Sequence, residues 1–365
     1  MLDRPRLIGS EELRKATLGR MHALAVPKST AMIDLVRALD WLDPDVYIES
    51  PKASPARLRR FHEPAYIEAV MDAETAQHVS PEKRARYNIG AEDSPIHEGV
   101  FSRAALACGA TLKGVELLGA GGTVHCPAGG AHHGQRARAS GFCMFNDAVL
   151  GILSMLDNGV ERICYIDIDA HHGDGVEAAF ANEPEVLTIS VHETGCWPHS
   201  GTESALERGV VNLSVPAGFN DSEMAFLLDE SILPLVQRHA PGAIVVQTGA
   251  DSLADDPMMD LALSNQAYVR VVEALIGAAP RLLILGGGGY NPCSVARCWA
   301  RIWAALNGFE VPARLPDAAE AVLRGFAQYW DLSRQPPAHW FTTLADESRT
   351  GNVREAIKQA AAAVA

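Results

Sequence analysis

The segment YIDIDAHHGDG, from Tyr165 to Gly175, places three aspartates and two histidines within eleven residues. Alternate residues of an extended strand share one face, so Asp167, Asp169 and His171 are predicted to point the same way. Three polar groups at one point are costly to bury without a cation or a hydrogen-bond network. Solvated loop residues or helix caps are the alternative for a lone aspartate, but the cluster favours a metal site.

A second strand-like segment ends at Asp251, within GAIVVQTGAD. Two aspartates and one histidine, with Asp251 supplied by this neighbouring strand, give three protein ligands and leave one position open for water. That pattern is typical of a catalytic zinc, whereas structural zinc sites close with four ligands. Oxygen-rich ligation also admits Fe²⁺ or another divalent ion. We therefore predict Zn²⁺, with Fe²⁺ as the alternative.

Two adjacent histidines, His132 and His133, lie in the glycine-rich segment AGGAHHGQRARASGFCMFND. Such a pair also occurs on surfaces or as metal ligands, and only its context favours catalysis. Water activated by a metal needs a base to take its proton and an acid to return one, and histidine has a suitable pKa for both tasks. A carboxylate behind each imidazole would orient it, and Asp167 and Asp174 are the candidates.

A run of four glycines precedes Tyr290 in LGGGGY, residues 285–290. Neither a G-x-G-x-x-G with a following acidic ribose ligand nor a G-K-[ST] is present, so a phosphate-binding loop is not predicted. Glycines instead let the backbone approach a ligand closely. Tyr290 could then donate its hydroxyl to a developing oxyanion, although a buried tyrosine with an incidental hydrogen bond is the alternative.

The elements that must position these groups alternate between apolar strands and amphipathic helices, which predicts an α/β fold with a parallel sheet. Ligand sites of such folds lie beyond the carboxyl ends of the strands. Asp167, Asp169 and His171 close one predicted strand, Asp251 closes a second, and Gly286–Tyr290 closes a third, so these features are predicted to converge on one edge of the sheet. The predicted strands are 162–170, 186–193, 242–251 and 281–291, and the predicted helices are 94–118, 146–159, 221–239 and 264–278.

Composition excludes several classes of protein. The chain has 365 residues and a net charge of -14, which disfavours binding to nucleic acid. It lacks 18 consecutive apolar residues, so no membrane span is expected. Its seven cysteines are scattered without a C-x-x-C pair, which indicates reduced thiols and a cytoplasmic protein. We expect a single domain over residues 1–365, with a helical C-terminal extension at 311–365.

Taken together, these motifs resemble the zinc-dependent histone deacetylase family, in particular its bacterial acetoin-utilisation type. The matching segments run in the family's order from about residue 60 to 305: GGAHHGQRARASGFCMFNDAVLGIL, YIDIDAHHGDGVEAAF, LTISVH, GADSLADDPM and LGGGGYNPCSVARCW. The resemblance implies the arginase/deacetylase fold, a central parallel eight-stranded sheet flanked by helices. It also implies hydrolysis of an acetylated amine to acetate and free amine.

The resemblance assigns a role to each catalytic position. Asp169, His171 and Asp251 match the family's zinc ligands. His133 matches the general base and acid, paired with Asp174. The remaining matches are His132, the electrostatic partner histidine backed by Asp167, and Tyr290, the tyrosine that polarises the scissile carbonyl.

The family's acyl-lysine tunnel is matched by five positions. Phe142 matches one aromatic wall, and Trp197 falls at the other, although the family's F-P-G-T-G is here Trp-Pro-His-Ser-Gly-Thr. Asp93 matches a rim aspartate that binds substrate backbone, and Gly288 lies on the tunnel floor. Met258 matches an apolar rim residue, where eukaryotic polyamine deacetylases carry a glutamate.

Two further expectations follow from the resemblance. A potassium ion beneath the zinc site is implied, with ligands from Asp167, Asp169, His171, Ser190 and Val191. Ser29 aligns with an arginine that lines an internal channel in many relatives, so either acetate leaves by another route or another side chain supplies the charge.

Three functions are compatible with the sequence. The first is a deacetylase of acetyl-lysine in proteins, and the second is a deacetylase of small acetylated amines such as acetylpolyamines. The third is an inactive relative that binds an acylated ligand or a partner protein. Inactive relatives usually lose a ligand or the tyrosine, and this chain retains them all, which favours an enzyme.

Overall fold

The computed structural model describes residues 4–15, 17–19, 22, 25–329 and 335–365. Eight strands form one sheet in the order β2-β1-β3-β8-β7-β4-β5-β6, and every neighbouring pair is parallel. This confirms the predicted eight-stranded parallel sheet. The strands are β1 Arg6–Gly9, β2 Tyr47–Glu49, β3 Gly122–Cys126, β4 Ile163–Asp167, β5 Val186–Glu193, β6 Val210–Val215, β7 Ala243–Gln247 and β8 Arg281–Leu285.

Helices connect the strands and cover the sheet, as parallel pairing requires. Their bounds are α1 Lys28–Ala38, α2 Pro55–Leu58, α3 Pro64–Ala76, α4 Pro81–Tyr87, α5 Val100–Leu118, α6 Asp147–Asp157, α7 Asp174–Phe180, α8 Asp221–Leu227, α9 Leu233–His239, α10 Asn265–Leu275, α11 Pro292–Asn307, α12 Asp317–Phe326, α13 His339–Thr342 and α14 Glu355–Ala362. A π-helical turn, Leu228–Ile232, joins α8 to α9. None of the described helices combines the length and apolar character that a bilayer crossing requires.

The two faces of the sheet bury separate apolar clusters. Cys164 and Ile166 of β4 belong to one cluster, while Ile163 and Tyr165 belong to the other. Helices α1 and α11 pack together in the first layer, and α5 and α6 pack together in the second. Burial on both faces explains why the strand sequences are continuously apolar.

The carboxyl ends of four adjacent strands meet at one edge of the sheet. The strands β3, β8, β7 and β4 are neighbours in that order. The His132–His133 pair follows β3, Tyr290 follows β8, Asp251 follows β7, and the Asp169 segment follows β4. The segments predicted to converge, which follow β4, β7 and β8, lie at one edge of the sheet, and the His132–His133 pair that follows β3 lies there too.

The C-terminal segment packs against the helical layers. Helix α12 contacts α1 and α13, and α14 contacts β6 and α8. The fully buried Arg297 of α11 donates to the carbonyl of Thr343 at 2.7 Å and pairs with Asp346 at 2.6 Å. The segment 339–349 is therefore fastened to the helix that follows Tyr290.

Candidate active site

The candidate metal ligands are Asp169, His171 and Asp251, which are all buried. One ligand atom from each residue lies within 4.8 Å of the others. The Nδ1 atom of His171 is 3.1 Å from an oxygen of Asp169 and 3.1 Å from an oxygen of Asp251. Strand β4 ends at Asp167, so Asp169 and His171 lie in the loop beyond it. Their alternation with buried Ile168 and Ala170 nevertheless continues as predicted.

The oxygens that face away from His171 are held by other donors. Oδ2 of Asp169 accepts hydrogen bonds from Nε2 of Gln247 at 2.8 Å and from the backbone N–H of Gly288 at 2.9 Å. Oδ1 of Asp251 accepts from the N–H of Ala170 at 2.9 Å. Both carboxylates are thus fixed with one oxygen turned toward the imidazole.

Glycines leave the room that these carboxylates occupy. A Cβ on Gly249 would lie 1.8 Å from Oδ2 of Asp169, and a Cβ on Gly288 would lie 2.0 Å from Oδ2 of Asp251. Neither contact is possible between non-bonded atoms. The backbone therefore approaches both acids closely only because these two residues are glycines.

The buried carboxylates of Asp169 and Asp251 need a positive charge next to them. Burial and the nearby Asp169 raise the pKa of the Asp251 carboxyl. Burial opposes a charge on His171, but hydrogen bonds to Asp169 and Asp251 outweigh it and raise its pKa to about 11. Two adjacent buried carboxylates are stable only with a positive charge between them. A divalent metal fits this donor set, with His171 as a neutral ligand.

His132 is backed by a buried carboxylate. Its Nδ1 lies 2.7 Å from Oδ2 of Asp167, which also accepts a hydrogen bond from the hydroxyl of Tyr165 at 2.7 Å. Burial opposes a charge on His132, but Asp167 and Asp169 outweigh it and raise its pKa to about 9. The two carboxylates therefore favour the protonated form of His132.

His133 also has a carboxylate at its Nδ1, but its pKa is lowered rather than raised. Its Nδ1 lies 2.7 Å from Oδ1 of Asp174, and Gln135 donates to the other oxygen at 2.9 Å. Burial and the charge of His132 lower the pKa of His133 to about 3, although Asp174 acts in the opposite direction. The rings of the two histidines are 3.9 Å apart. Burial and a protonated His132 therefore favour neutral His133, and neutral His133 is able to act as a base.

The loop that carries the histidine pair is tied to the start of α6. The side chain of Asn146 caps this helix and donates to the carbonyls of His132 and Gly134. The buried carboxylate of Asp147 accepts from the N–H groups of Gly130 and Ala131. These contacts hold the backbone on both sides of the pair.

Tyr290 lies beside a cavity of about 240 Å³ that is also lined by Phe142, His133 and the metal ligands. Its ring centroid is 6.3 Å from that of Phe142. Burial raises the pKa of Tyr290 well above 10, so its hydroxyl keeps its proton. The position suits a hydrogen-bond donor to a substrate oxygen.

A cationic side chain reaches the same cavity. Ser29, which aligns with an arginine of many relatives, is buried on α1 and lines the cavity. The neighbouring Lys28 also lines it, with Nζ 4.8 Å from the centre of the Tyr290 ring and 3.2 Å from the carbonyl of Gly287. Lys28 therefore supplies an amine where Ser29 has no ionisable group.

The aromatic walls differ in their contacts. Phe142 lines the cavity, whereas the indole of Trp197 packs edge-on against the ring of His133, with 4.6 Å between centroids. A Cβ on Gly141 would lie 2.4 Å from this indole, so the indole of Trp197 fits in this position only because residue 141 is a glycine. Trp197 therefore lies next to His133, and Phe142 lies next to Tyr290.

Asp93, the predicted rim aspartate, is hydrogen-bonded to the backbone beside the predicted tunnel wall at Phe142. A side-chain oxygen of Asp93 accepts from the N–H of Gly141 at 3.2 Å. The backbone carbonyl of Asp93 accepts from the N–H of Phe142 at 2.7 Å. These two hydrogen bonds hold the backbone of Gly141 and Phe142 next to Asp93. Binding of substrate backbone by Asp93 stays a prediction.

Met258 and Ser190 do not line this cavity. Met258 is 52% exposed beyond the cavity. Ser190 is buried, and its Oγ lies 2.9 Å from Nδ1 of His192. Potassium binding by Asp167, Asp169, His171, Ser190 and Val191 stays a prediction.

Sequence reasoning misses several residues that shape the site. Gln247 holds Asp169, and its only signal is a lone amide at the end of an apolar strand. Lys28 is adjacent to Ser29, the position to which the resemblance draws attention. Asp147 lies within a matching motif without an assigned role. Asp256 accepts from the backbone N–H of Tyr290 at 2.7 Å, a contact that no local pattern indicates.

Comparisons with known proteins show the family of this chain. The family model described as "Histone deacetylase domain" matches residues 22–306. Histone deacetylase 9 of Arabidopsis thaliana is 38% identical to this chain over 279 residues. The matched region covers 73% of this chain and 64% of that protein, so the chain spans just under two thirds of this relative. The acetoin utilization protein AcuC of Bacillus subtilis is 33% identical over 299 residues, covering 78% of this chain and 77% of that protein. A crystal structure of an HDAC homolog from Aquifex aeolicus matches with a TM-score of 0.92 and 33% identity, covering 100% of each chain.

Proposed function

Because this chain belongs to the histone deacetylase family, we propose that it hydrolyses acetyl groups from the ε-amine of lysine in proteins and releases acetate. One observation carries the proposal: a base, a charged histidine and a tyrosine surround the same cavity as a three-residue metal-ligand cluster. Each of these groups has a distinct task in amide hydrolysis.

The metal supplies the electrophilic part of the chemistry. A divalent cation held by Asp169, His171 and Asp251, for which we propose Zn²⁺ with Fe²⁺ as the alternative, would polarise the acetyl carbonyl and lower the pKa of a water molecule. The two carboxylates are held in place by Gln247, Gly288 and other donors, so little reorganisation is needed to bind the ion.

His133 moves the proton. Its low pKa leaves Nε2 unprotonated at neutral pH, while Asp174 holds the proton on Nδ1. His133 accepts a proton from the attacking water, and it returns that proton to the amine nitrogen as the C–N bond breaks. Acetate and the protonated amine are the products, because the second proton of the water molecule passes from acetic acid to the amine, and the enzyme returns to its initial protonation state.

His132 and Tyr290 stabilise the charge that develops. Protonated His132 lies next to His133 and favours negative charge on the substrate oxygens. Tyr290 keeps its hydroxyl proton and donates it in a hydrogen bond to the oxyanion. Loss of one such donor typically costs about 10²–10³ in rate.

The rim favours acetyl-lysine over an acetylated polyamine. A polyamine carries a distant ammonium group that needs an acidic partner, and the corresponding rim position is the apolar Met258, 52% exposed. An exposed methionine suits the apolar part of a peptide beside the acetyl-lysine. We propose that Phe142 and Trp197 flank the acyl-lysine chain and that Asp93 and Gly288 border it.

Two further parts of the proposal concern conditions in the cell. We propose that a potassium ion binds beneath the metal site through the set that includes Asp167 and Ser190. We also propose that the protein works in the cytoplasm, since all seven cysteines are free thiols and six of them are buried. A reducing compartment would preserve this state.

Steady-state kinetics test the substrate assignment. An acetyl-lysine peptide and N-acetylspermidine are compared with the same zinc-loaded enzyme, and we expect the higher kcat/KM for the peptide. A higher kcat/KM for acetylspermidine would overturn the choice of substrate class. His133→Ala is the control for the chemistry, because it should abolish hydrolysis of both substrates while the metal stays bound.

A further inference from the structure

Tyr290 lies on a backbone that has little rigidity of its own. Gly287 and Gly289 precede it with φ angles of +141° and +112°, which side chains other than glycine rarely adopt. Glycine restricts the chain less than any other residue, so this loop depends on contacts from outside to hold one conformation. The question is which group fixes the tyrosine.

Asp256 makes that contact. Oδ2 of Asp256 accepts a hydrogen bond from the backbone N–H of Tyr290 at 2.7 Å, and Oδ1 accepts from the N–H of Met258 at 3.0 Å. The aspartate is 8% exposed, and its own N–H donates to the carbonyl of Leu253 at 2.9 Å. Water has little access to compete with these two hydrogen bonds, because Asp256 is buried.

The same carboxyl group joins two functional regions. Met258 is 52% exposed, and the proposed function places it at the substrate rim, whereas Tyr290 lines the cavity. The segment that contains Asp256 makes a further contact, because the carbonyl of Asp255 accepts from Nδ2 of Asn291 at 3.0 Å. The Tyr290 segment is thus fastened to the loop that follows the metal ligand Asp251.

We propose that Asp256 is a positioning residue that fixes the backbone of Tyr290 and couples it to the substrate rim at Met258. This inference rests on the proposed function, in which Tyr290 donates to the substrate oxygen. Asp256 acts only through the tyrosine and does not itself touch the reacting atoms.

The chemistry of the side chain suggests the variant. Both oxygens of Asp256 accept from N–H groups, and the amide of Asp256→Asn has a single oxygen. Whichever way this amide turns, its NH₂ group faces a backbone donor, so one of the two contacts is lost. Asp256→Glu is the second variant, because it keeps the carboxyl group but displaces both oxygens.

The neighbouring aspartate provides a matched control. The carboxylate of Asp255 accepts from Nε1 of Trp340 at 2.7 Å rather than from the Tyr290 segment. Asp255→Asn keeps an acceptor for that indole. We expect kcat of this variant to stay within about twofold of the parent enzyme.

A double-mutant cycle with Tyr290→Phe tests the inference. In the parent enzyme we expect Asp256→Asn to lower kcat for an acetyl-lysine peptide by about 10- to 100-fold, as for other residues that orient catalytic groups. In the Tyr290→Phe background the same change should alter kcat by less than about twofold, because no hydroxyl remains to be positioned. An equal loss in both backgrounds, or no loss in the parent, would overturn the proposal.

Hydrogen exchange gives a readout that needs no turnover. Asp256→Asn and Asp256→Glu should each exchange amide hydrogens faster in a peptide covering residues 286–291, whereas Asp255→Asn should not. Unchanged protection of β7 would show that both variants are folded. Unchanged exchange at 286–291 would contradict the positioning role, while failure of the parent enzyme on the acetyl-lysine peptide would contradict the proposed function instead.

Discussion

Nδ1 of His133 lies 2.7 Å from Oδ1 of Asp174, and Gln135 donates to the second oxygen of that carboxylate. The acid is therefore held on both sides, and it holds the imidazole in the tautomer that has a free Nε2. Asp174 also counteracts the burial that lowers the pKa of His133. The basicity of His133 and its orientation both depend on this carboxylate.

Replacing Asp174 with Asn should weaken the base. An amide oxygen can still accept from His133, but its NH₂ then faces the donor of Gln135, and the negative charge is gone. The pKa of His133 should fall further below its ordinary value, and kcat should fall by about 10- to 100-fold. Initial rates with an acetyl-lysine peptide across a pH series measure both effects.

The acid limb of the pH profile shows whether Asp174→Asn raises or lowers the pKa of His133. The rate needs neutral His133, so it is lost as the pH falls through the pKa of that group. Asp174→Asn should therefore move the acid limb of kcat/KM to lower pH. A limb that moves to higher pH, or an unchanged kcat, would show that Asp174 does not support the base.

His132→Asn should shift the same limb in the opposite direction. The charge of His132 lowers the pKa of His133, and the asparagine carries no charge. The pKa of His133 should rise toward its ordinary value of about 6.5, so that activity is lost at a higher pH than in the parent enzyme. The ratio of kcat/KM in mildly acidic buffer to that at neutral pH should fall.

Metal loss at low pH could produce a similar profile, so the metal content is measured at each pH for both proteins. An acid limb of His132→Asn that coincides with the parent's at equal metal content would contradict the electrostatic coupling of the two histidines.

Asp346→Ala should destabilise the fold through Arg297. The guanidinium of Arg297 is fully buried, and it pairs with Asp346 at 2.6 Å. Removing one member of a buried pair leaves an uncompensated charge and typically costs about 3–5 kcal/mol. Chemical denaturation should show this loss as a lower free energy of unfolding.

An exposed pair provides the matched control. Arg270 and Asp229 also lie 2.6 Å apart, but their side chains are 53% and 50% exposed. Asp229→Ala should cost no more than about 1 kcal/mol, because water screens this pair. Equal losses for the two alanine variants would refute the importance of burial at Arg297.

Much of the site could be predicted because its chemistry is contained in short segments. The spacing of Asp167, Asp169 and His171 indicates a shared face, and the apolar run before Asp251 indicates a neighbouring strand. The parallel sheet then brings these segments to one edge, since all its strands end there. Ser264 and Asn146 also cap helices close to the predicted starts.

The rest depends on contacts between distant parts of the chain. The resemblance predicts eight strands, but the apolar patterns locate only four of them and do not indicate β1, β2, β3 and β6. Strands β1 and β2 are only four and three residues long. The predicted helix at 94–118 begins instead at Val100, because Gly99 has a φ of +76° that ends helical geometry on its N-terminal side. The contact of Asp256 with Tyr290 spans 34 residues, and no local periodicity encodes it.

The proposed hydrolysis depends on one metal ion at the edge of the sheet, and anomalous diffraction tests its presence most directly. Crystals of the chelated protein are soaked with one equivalent of zinc, and data are collected on both sides of the zinc absorption edge. We predict a single anomalous peak about 2.0–2.3 Å from ligand atoms of Asp169, His171 and Asp251. No peak between these three side chains, or a peak at other residues only, would contradict the account.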